Sequence, residues 1–343
     1  MKKLTLLSIT ILITAACFAQ CPTEQIYLST QAEVDAFTNN YPGCSQITHG
    51  LRIDGSEITN LNGLEGITSV TGGAFSILTT LSLESLHGLH NIETIDTDFY
   101  INYSGIFNFT GLESLTYMRN ISVSNNSNLV SFEGLENLEF INGFIHISEN
   151  ESLASFNGLN NLNGIDDYID IGNNQSLISL DGLENLQSVP YVRIFSNNTL
   201  VSIAGLENIE PTQFVITDNL NLPQCAIDPV CQQININPNF IVVENNSVGC
   251  NTIPEVEAGC LLSTSEVNLL ENFAIYPNPA SKMIRIARSE DITLKSATIY
   301  SMLGEKLLYS SQDKIEVSNL SEGIYFIQII TDKGKTIKKF VKE

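Results

Sequence analysis

No lysine stands between Lys3 and Lys282 of this 343-residue chain, and the same stretch holds only three arginines, Arg52, Arg119 and Arg193. Acidic residues are plentiful there: residues 20–265 carry a net charge of −25, against +2 for residues 1–19 and +1 for residues 266–343. A surface this poor in cations excludes nucleic acid and anionic lipid as partners, since both are held by basic groups. The abrupt shift in charge marks a domain boundary near residue 265.

Other absences narrow the field further. No stretch approaches 18 consecutive apolar residues, so no transmembrane segment is expected. Apolar residues never keep the i, i+3, i+4, i+7 spacing for long, which excludes a helical repeat. There is no Gly-x-Ser-x-Gly, no His-Glu-x-x-His and no phosphate loop, and none of the four histidines (His49, His87, His90, His146) falls in a metal-ligand motif. Nothing in the sequence therefore points to a catalytic centre, a metal or a cofactor.

What is present begins with "MKKLTLLSITILITAACFAQ", whose two lysines, short apolar run and small residues have the layout of a secretory signal peptide, cut after Ala19. Lipid attachment at Cys17 is the alternative, but Thr14 stands where a lipobox prefers leucine. Six cysteines remain after the leader: Cys21, Cys44, Cys225, Cys231, Cys250 and Cys260. An even number in an exported chain implies disulfides. Two precede and four follow a cysteine-free middle, so cross-links are expected at the ends. The last four allow three pairings, of which Cys225–Cys250 with Cys231–Cys260 is preferred. With no Cys-x-x-Cys pair and no histidine nearby, zinc is the weaker reading of Cys225 and Cys231.

The middle is repetitive. Gly-Leu pairs begin at Gly63, Gly88, Gly111, Gly134, Gly158, Gly182 and Gly205, spaced 25, 23, 23, 24, 24 and 23 residues apart. Such a period is the mark of a solenoid. Short alternations such as "IHI", "IDI" and "VRI" between Asn, Gly and Ser read as strands and turns. Three short strands per coil are expected, around Ile145 and Ile147, Leu153 and Phe156, and Leu162 and Ile165. Parallel coils about 4.8 Å apart would make a rod of roughly 35 Å. Asn126, Asn150, Asn174, Asn197 and Asn219 each follow a strand Ile or Val by three residues. Stacked at a turn, their amides can satisfy one another and the backbone. In earlier coils Thr80 and Tyr103 are expected at that position, leaving the ladder incomplete. The Asn-x-Ser/Thr matches at Asn150, Asn174 and Asn197 are by-products of the repeat.

Both ends carry capping signals. "STQAEVDAFTNNYPGC" offers Thr30 and Glu33 as a capping box opening a short helix that stops before Pro42. The stretch from Cys21 to Cys260 resembles the leucine-rich receptor L-domain-like repeats of secreted bacterial proteins. That resemblance implies an all-β fold: a right-handed parallel β-solenoid with disulfide caps. The expected division is a signal peptide (1–19), an N-terminal cap (20–48), seven coils (49–218), a cysteine-containing cap (219–262) and a linker (263–272).

Residues 273–343 have a different texture, with six or seven short strands and turns at "PNP", "LGE" and "DKG" that suggest a small β-sandwich. This segment resembles the C-terminal sorting domain of type IX secretion in Bacteroidetes. Tyr276, Pro277, Asn278 and Pro279 match its opening motif, Gly304 its central turn, and Leu320, Gly323 and Tyr325 its "LxxGxY" element. The resemblance implies handling by the type IX machinery and export across the outer membrane, with release or attachment at the cell surface.

Two rows of the repeat merit a functional reading. His146, Asp170 and Arg193 occupy the outward position between paired strand residues, beside Ser122 and Val215, and form a candidate patch for an extracellular glycan or protein. The residue after Gly-Leu is Glu65, His90, Glu113, Glu136, Asn160, Glu184 or Glu207, where paired glutamates would repel unless solvated or bridged by a cation. The expected function is a secreted or cell-surface, non-enzymatic binding module. A glycan-cleaving β-helix enzyme and a structural surface-layer component are the alternatives, the first weakened by the scarcity of cations.

Overall fold

The computed structural model describes residues 21–210, 212–262, 273–288, 292–301, 306–331 and 335–343. The signal peptide, the linker at 263–272 and Gly304 lie outside the described residues. The chain divides into two compact units, Met1–Leu261 and Leu262–Glu343.

The first unit is organised by a 14-stranded sheet. Its main path runs through Ile26–Leu28, Leu51–Asp54, Phe75–Leu78, Thr94–Asn102, Tyr117–Ser124, Ile145–Ser148, Tyr168–Gly172, Tyr191–Phe195, Gln213–Thr217 and Ile241–Glu244. Each strand pairs in parallel with the next along the chain, so equivalent residues of successive repeats lie side by side. The sheet is open, and it extends beyond residues 49–218 at both ends.

Strand alternation decides what is buried. Ile145 and Ile147 point inward and are fully buried, as are Ile169 with Ile171 and Val192 with Ile194. Phe109, Phe132 and Phe156 stack along the interior with centroids 5.1 and 5.3 Å apart, giving the core an aromatic spine.

The repeat contains two strands where three were expected. A second short strand forms at Gly164–Ile165, paired with Phe140–Ile141, but the segment around Leu153 and Phe156 forms none. Tight turns interrupt it: Leu153 N–H donates to Asn150, Leu159 to Phe156 and Leu162 to Leu159. Single bonds still reach the neighbouring repeats, from Ala154 N–H to Val130 C=O and from Phe156 N–H to Asp181 C=O. A continuous ladder cannot form where every third residue turns.

The asparagines sit at zero exposure inside the turn after each main strand. Asn174 is typical: its Nδ2 donates to Ile147 C=O at 3.1 Å and Gly172 C=O at 2.9 Å, while its Oδ1 accepts the N–H of Asn150 at 3.1 Å. The chain of amides continues through Asn126, Asn150, Asn197 and Asn219. It then takes in Asn246, a rung the sequence reading missed. At the other end the rung is Ser104, not Tyr103: Ser104 N–H donates to Asn126 Oδ1 and its hydroxyl accepts from Thr80. Tyr103 belongs to the preceding position, which is left-handed in every repeat, with φ between 48° and 59° from Thr79 to Asn245. That conformation swings the next side chain into the core. In the folded chain Asn150, Asn174 and Asn197 are thereby buried, out of reach of a glycosylating enzyme.

The Gly-Leu pair has its own cause. Gly111, Gly134, Gly158 and Gly182 have φ between 104° and 111°, and a Cβ there would fall on backbone of the preceding repeat.

Caps close both ends. Gln31–Asn40 is a helix whose Thr30 and Glu33 form both halves of a capping box, and Cys21 is bonded to Cys44. The far end contains two helices absent from the sequence reading, Asp228–Ile236 and Ile253–Leu262, pinned by Cys225–Cys250 and Cys231–Cys260.

The second unit consists of two antiparallel sheets. Three strands, Phe273–Tyr276, Met283–Arg288 and Lys314–Glu316, form one. Lys306–Ser310, Leu294–Tyr300, Gly323–Thr331 and Lys335–Lys342 form the other, and one apolar core joins them through Ile284, Ile286, Ile299, Ile327 and Phe340.

The ladder predicts a large single-residue effect. Asn174→Ala removes the side-chain partner of Ile147 C=O and of the Asn150 N–H, each worth about 1–3 kcal/mol, while Gly172 C=O keeps the N–H of Glu149. Urea denaturation should report a loss of about 2 kcal/mol or more. A loss under about 1 kcal/mol would show that water substitutes for the amide.

Candidate functional site

Outward-facing residues of the main strands line up in three rows. The middle row runs Tyr27, Arg52, Ser76, Tyr100, Ser122, His146, Asp170, Arg193, Val215 and Val242, each directly beside the next. His146, Asp170 and Arg193 are therefore adjacent. Two residues earlier in the chain stand Phe144, just before its strand, Tyr168 and Tyr191, and two residues later Ser148, Gly172 and Phe195. The flanking rows were not read as part of the patch, although the period-two spacing places them on the same face.

The centre is a connected set of polar contacts. Asp170 Oδ2 lies 3.3 Å from His146 Nδ1 and 3.6 Å from Arg193 Nη1. His146 Nε2 is 3.0 Å from Ser148 Oγ, which is 3.0 Å from Ser124 Oγ. Asp170 is the most buried of the trio, its side chain 14% exposed, and its Oδ1 has no hydrogen-bond partner. His146 and Arg193 are 32% and 42% exposed, so solvent screens both pairs and each contributes about 0–1 kcal/mol, fixing direction more than stabilising.

Aromatic rings frame this set. Phe144 and Tyr168 stack with centroids 5.0 Å apart and planes 4° from parallel. Arg193 lies 4.1 Å over the ring of Phe195, a cation–π contact. Phe195 in turn lies across Gly172, where a Cβ would strike its ring atoms. Burial, then the carboxylates of Asp167 and Asp170, push the Tyr168 phenol above its ordinary range, so it remains a neutral hydroxyl. Nearby, burial and Asp98 raise Tyr100 in the same direction.

All three arginines of this unit are paired. Besides Arg193, Arg52 meets Asp54 at 2.6 Å and Arg119 meets Asp96 at 2.7 Å. The hydroxyl of Thr79, and after it Arg52, hold the Asp54 carboxyl below the usual carboxylate range.

The contacts among Ser148, His146 and Asp170 have the connectivity of a serine–histidine–aspartate triad. Acyl transfer also needs N–H donors aimed at the developing oxyanion. Here the next two N–H groups are committed elsewhere, Glu149 to Gly172 C=O and Asn150 to Asn174 Oδ1. Ser148 is itself 8% exposed on an open sheet. These residues form a polar ladder in which the two N–H groups after Ser148 are not free to serve as oxyanion donors.

The glutamate row has a local task. Glu136 and Glu184 accept the N–H of Gly134 and Gly182 two residues before them, as Glu113 does from Gly111. Asn160 substitutes in its own repeat, accepting from Gly158. Their oxygens cap the Gly-Leu turn in place of splaying into solvent. Among the described residues no group of three or more His, Cys, Asp or Glu could hold a metal ion.

In the second unit the opening motif docks on the last strand: Asn278 Oδ1 accepts the N–H of Val341 at 2.8 Å, and Ala280 pairs with Lys342. Tyr276 is about half exposed, whereas Tyr325 is buried, stacks on Phe340 and donates its hydroxyl to Ser321 C=O at 2.8 Å. Leu320 packs partly buried against the same core, and Gly323 opens the strand that carries Tyr325.

Comparison with known families matches residues 274–343 to the secretion system C-terminal sorting domain. No curated protein matches the chain. The chain thus ends in a type IX sorting domain, which implies export across the outer membrane to the cell surface or the extracellular space. Among the described residues no helix is long and apolar enough to cross a membrane.

The seat of Phe195 is testable by a double-mutant cycle. Gly172→Ala pushes the ring off its floor and uncovers Arg193; in Phe195→Leu the same change meets less. The coupling between the two should be about 1 kcal/mol, read from denaturation midpoints, and additivity would show that the ring is free to move aside.

Proposed function

We propose that this chain is an exported, non-enzymatic binding protein. Its first unit is a right-handed β-solenoid of the leucine-rich receptor L-domain type, and the outward face of its parallel sheet is the recognition surface. Right-handedness follows from the rule for parallel strands joined by crossovers. The observation that carries the functional reading is the set around Arg193: a guanidinium held over Phe195, tied to Asp170, with further donors left for a partner.

Shape supports surface recognition. The indentation lined by Phe37, Thr38, Tyr41 and Gly43 near the N-terminal helix has a volume of about 120 Å³, well below that of small-molecule sites, about 300–1,000 Å³. The ligand class follows from ring orientation. Phe144 and Tyr168 each lose one face to the other, and Arg193 covers one face of Phe195, so less ring face is left for flat stacking of a sugar. Tyrosine and arginine anchors in a polar surround suit a protein surface better. The type IX machinery is the other partner, through the C-terminal domain.

Two experiments test this reading. Secreted, oxidised protein screened against extracellular proteins and glycans should bind a polypeptide saturably, and Tyr168→Ala with Arg193→Ala should abolish that binding. Binding only to glycans, or binding indifferent to both changes, would refute the assignment; so would labelling of Ser148 by a fluorophosphonate, which marks an activated serine. Separately, deletion of residues 274–343 in a type IX-competent host should keep the protein inside the cell, with the full chain appearing outside.

A further inference from the structure

Between the asparagine turn and the Gly-Leu turn, five successive repeats carry an apolar residue at one outward position, Phe107, Val130, Ala154, Ile178 and Val201, and the repeat before them has the exposed Glu84 there. Four of these are 45–57% exposed, and Ala154 is half-buried. Backbone bonds set them in line: Val130 N–H donates to Phe107 C=O, Ala154 to Val130 and Val201 to Ile178, at 2.9–3.0 Å. Five residues at about 4.8 Å per repeat make a ridge roughly 20 Å long.

The ridge is unusual in its charge. Residues 20–265 carry −25, yet the rows flanking it from Asn128 to Thr199 and from Asn108 to Ser202 contain only serine, threonine and asparagine. The nearest acidic residues are Glu84, in line with the ridge at its Phe107 end, and Glu133, Glu151 and Asp181, just outside the flanking rows. Two copies of so acidic a unit repel each other at most approaches, and least along this strip. Its residue sizes are also self-complementary. A two-fold axis through Ala154 sets Val130 against Ile178 and Phe107 against Val201, with the smallest side chain at the crossing point.

We propose that this ridge is a contact between two copies of the chain, packed antiparallel about Ala154. The footprint is smaller than the roughly 800 Å² per partner of a stable dimer, so the association is weak and operates where copies are crowded, as on a cell surface. It is independent of the sheet face and of the ligand proposed for it.

Sedimentation equilibrium of the full chain should reveal a monomer–dimer equilibrium that tightens as salt is raised, because salt screens the mutual repulsion. Ile178→Asp should abolish it. Register is read by cross-linking: under mild oxidation Ala154→Cys should form a symmetric dimer, since disulfides require Cα atoms within about 7 Å. Val201→Cys alone should not, but should cross-link when mixed with Phe107→Cys. A monomer at every concentration and salt, or Val201→Cys cross-linking as readily as Ala154→Cys, would overturn the proposal.

Discussion

A chain that stacks short repeats must satisfy, at every turn, backbone groups that are buried by the neighbouring repeat and out of reach of water. The buried asparagine amide meets this constraint. Its Nδ2 reaches two carbonyls on its own and the preceding turn, and its Oδ1 takes an N–H from the preceding rung. An unpaired buried polar group costs about as much as a well-buried methyl or two contributes, so a repeat lacking the amide would gain little by packing. The aliphatic core and the parallel register depend on this solution being available in each copy. Where it changes, at Thr80 and Ser104, hydroxyls take over part of the work, and the repeat between Ser104 and Leu129 begins with a shortened turn.

Much of this was legible in the sequence because the residues responsible recur at a fixed period. Gly-Leu spacing revealed the repeat, whereas the reason for the glycine, a positive φ pressed against the backbone of the preceding repeat, emerged only from the stacking. The missing third strand was less legible, since alternating apolar residues around Leu153 and Phe156 look the same whether the chain extends or turns. Tyr103 was misplaced because one residue is absent in that repeat and the alignment was anchored on the glycine. Counting three from Ile101 gives Ser104. The two helices of the far cap carry no long periodic pattern, being short and held by the cysteines.

The site was legible only in part, and for a physical reason. Reading outward positions one row at a time found His146, Asp170 and Arg193, which touch. It passed over Ser148, Gly172 and Phe195, because their importance lies in a diagonal relation: the ring on one strand occupies the space that glycine leaves on the next. Such pairings follow from register, which a period of 23 to 25 residues indicates only to within a residue. Likewise the triad-like connectivity of Ser148, His146 and Asp170 is visible in three dimensions, and so is the commitment of the two N–H groups that follow Ser148 to other acceptors.

The division of labour between inward and outward positions bears on how such a chain acquires function. Inward residues, turn glycines and amides are constrained by their neighbours in the preceding and following repeats, so a change in one is felt by three. Outward residues are constrained only by solubility, and in this unit solubility is met by carboxylates. Against that uniform background the exceptions stand out: three arginines, each held by an aspartate, and one uncharged apolar ridge. A surface selected for solubility alone has no need to hold a guanidinium flat on a phenyl ring, or to align exposed Val130, Ile178 and Val201 along a single edge. Under the binding function proposed above, these departures are the places where recognition is grafted onto a scaffold held together by its repeat.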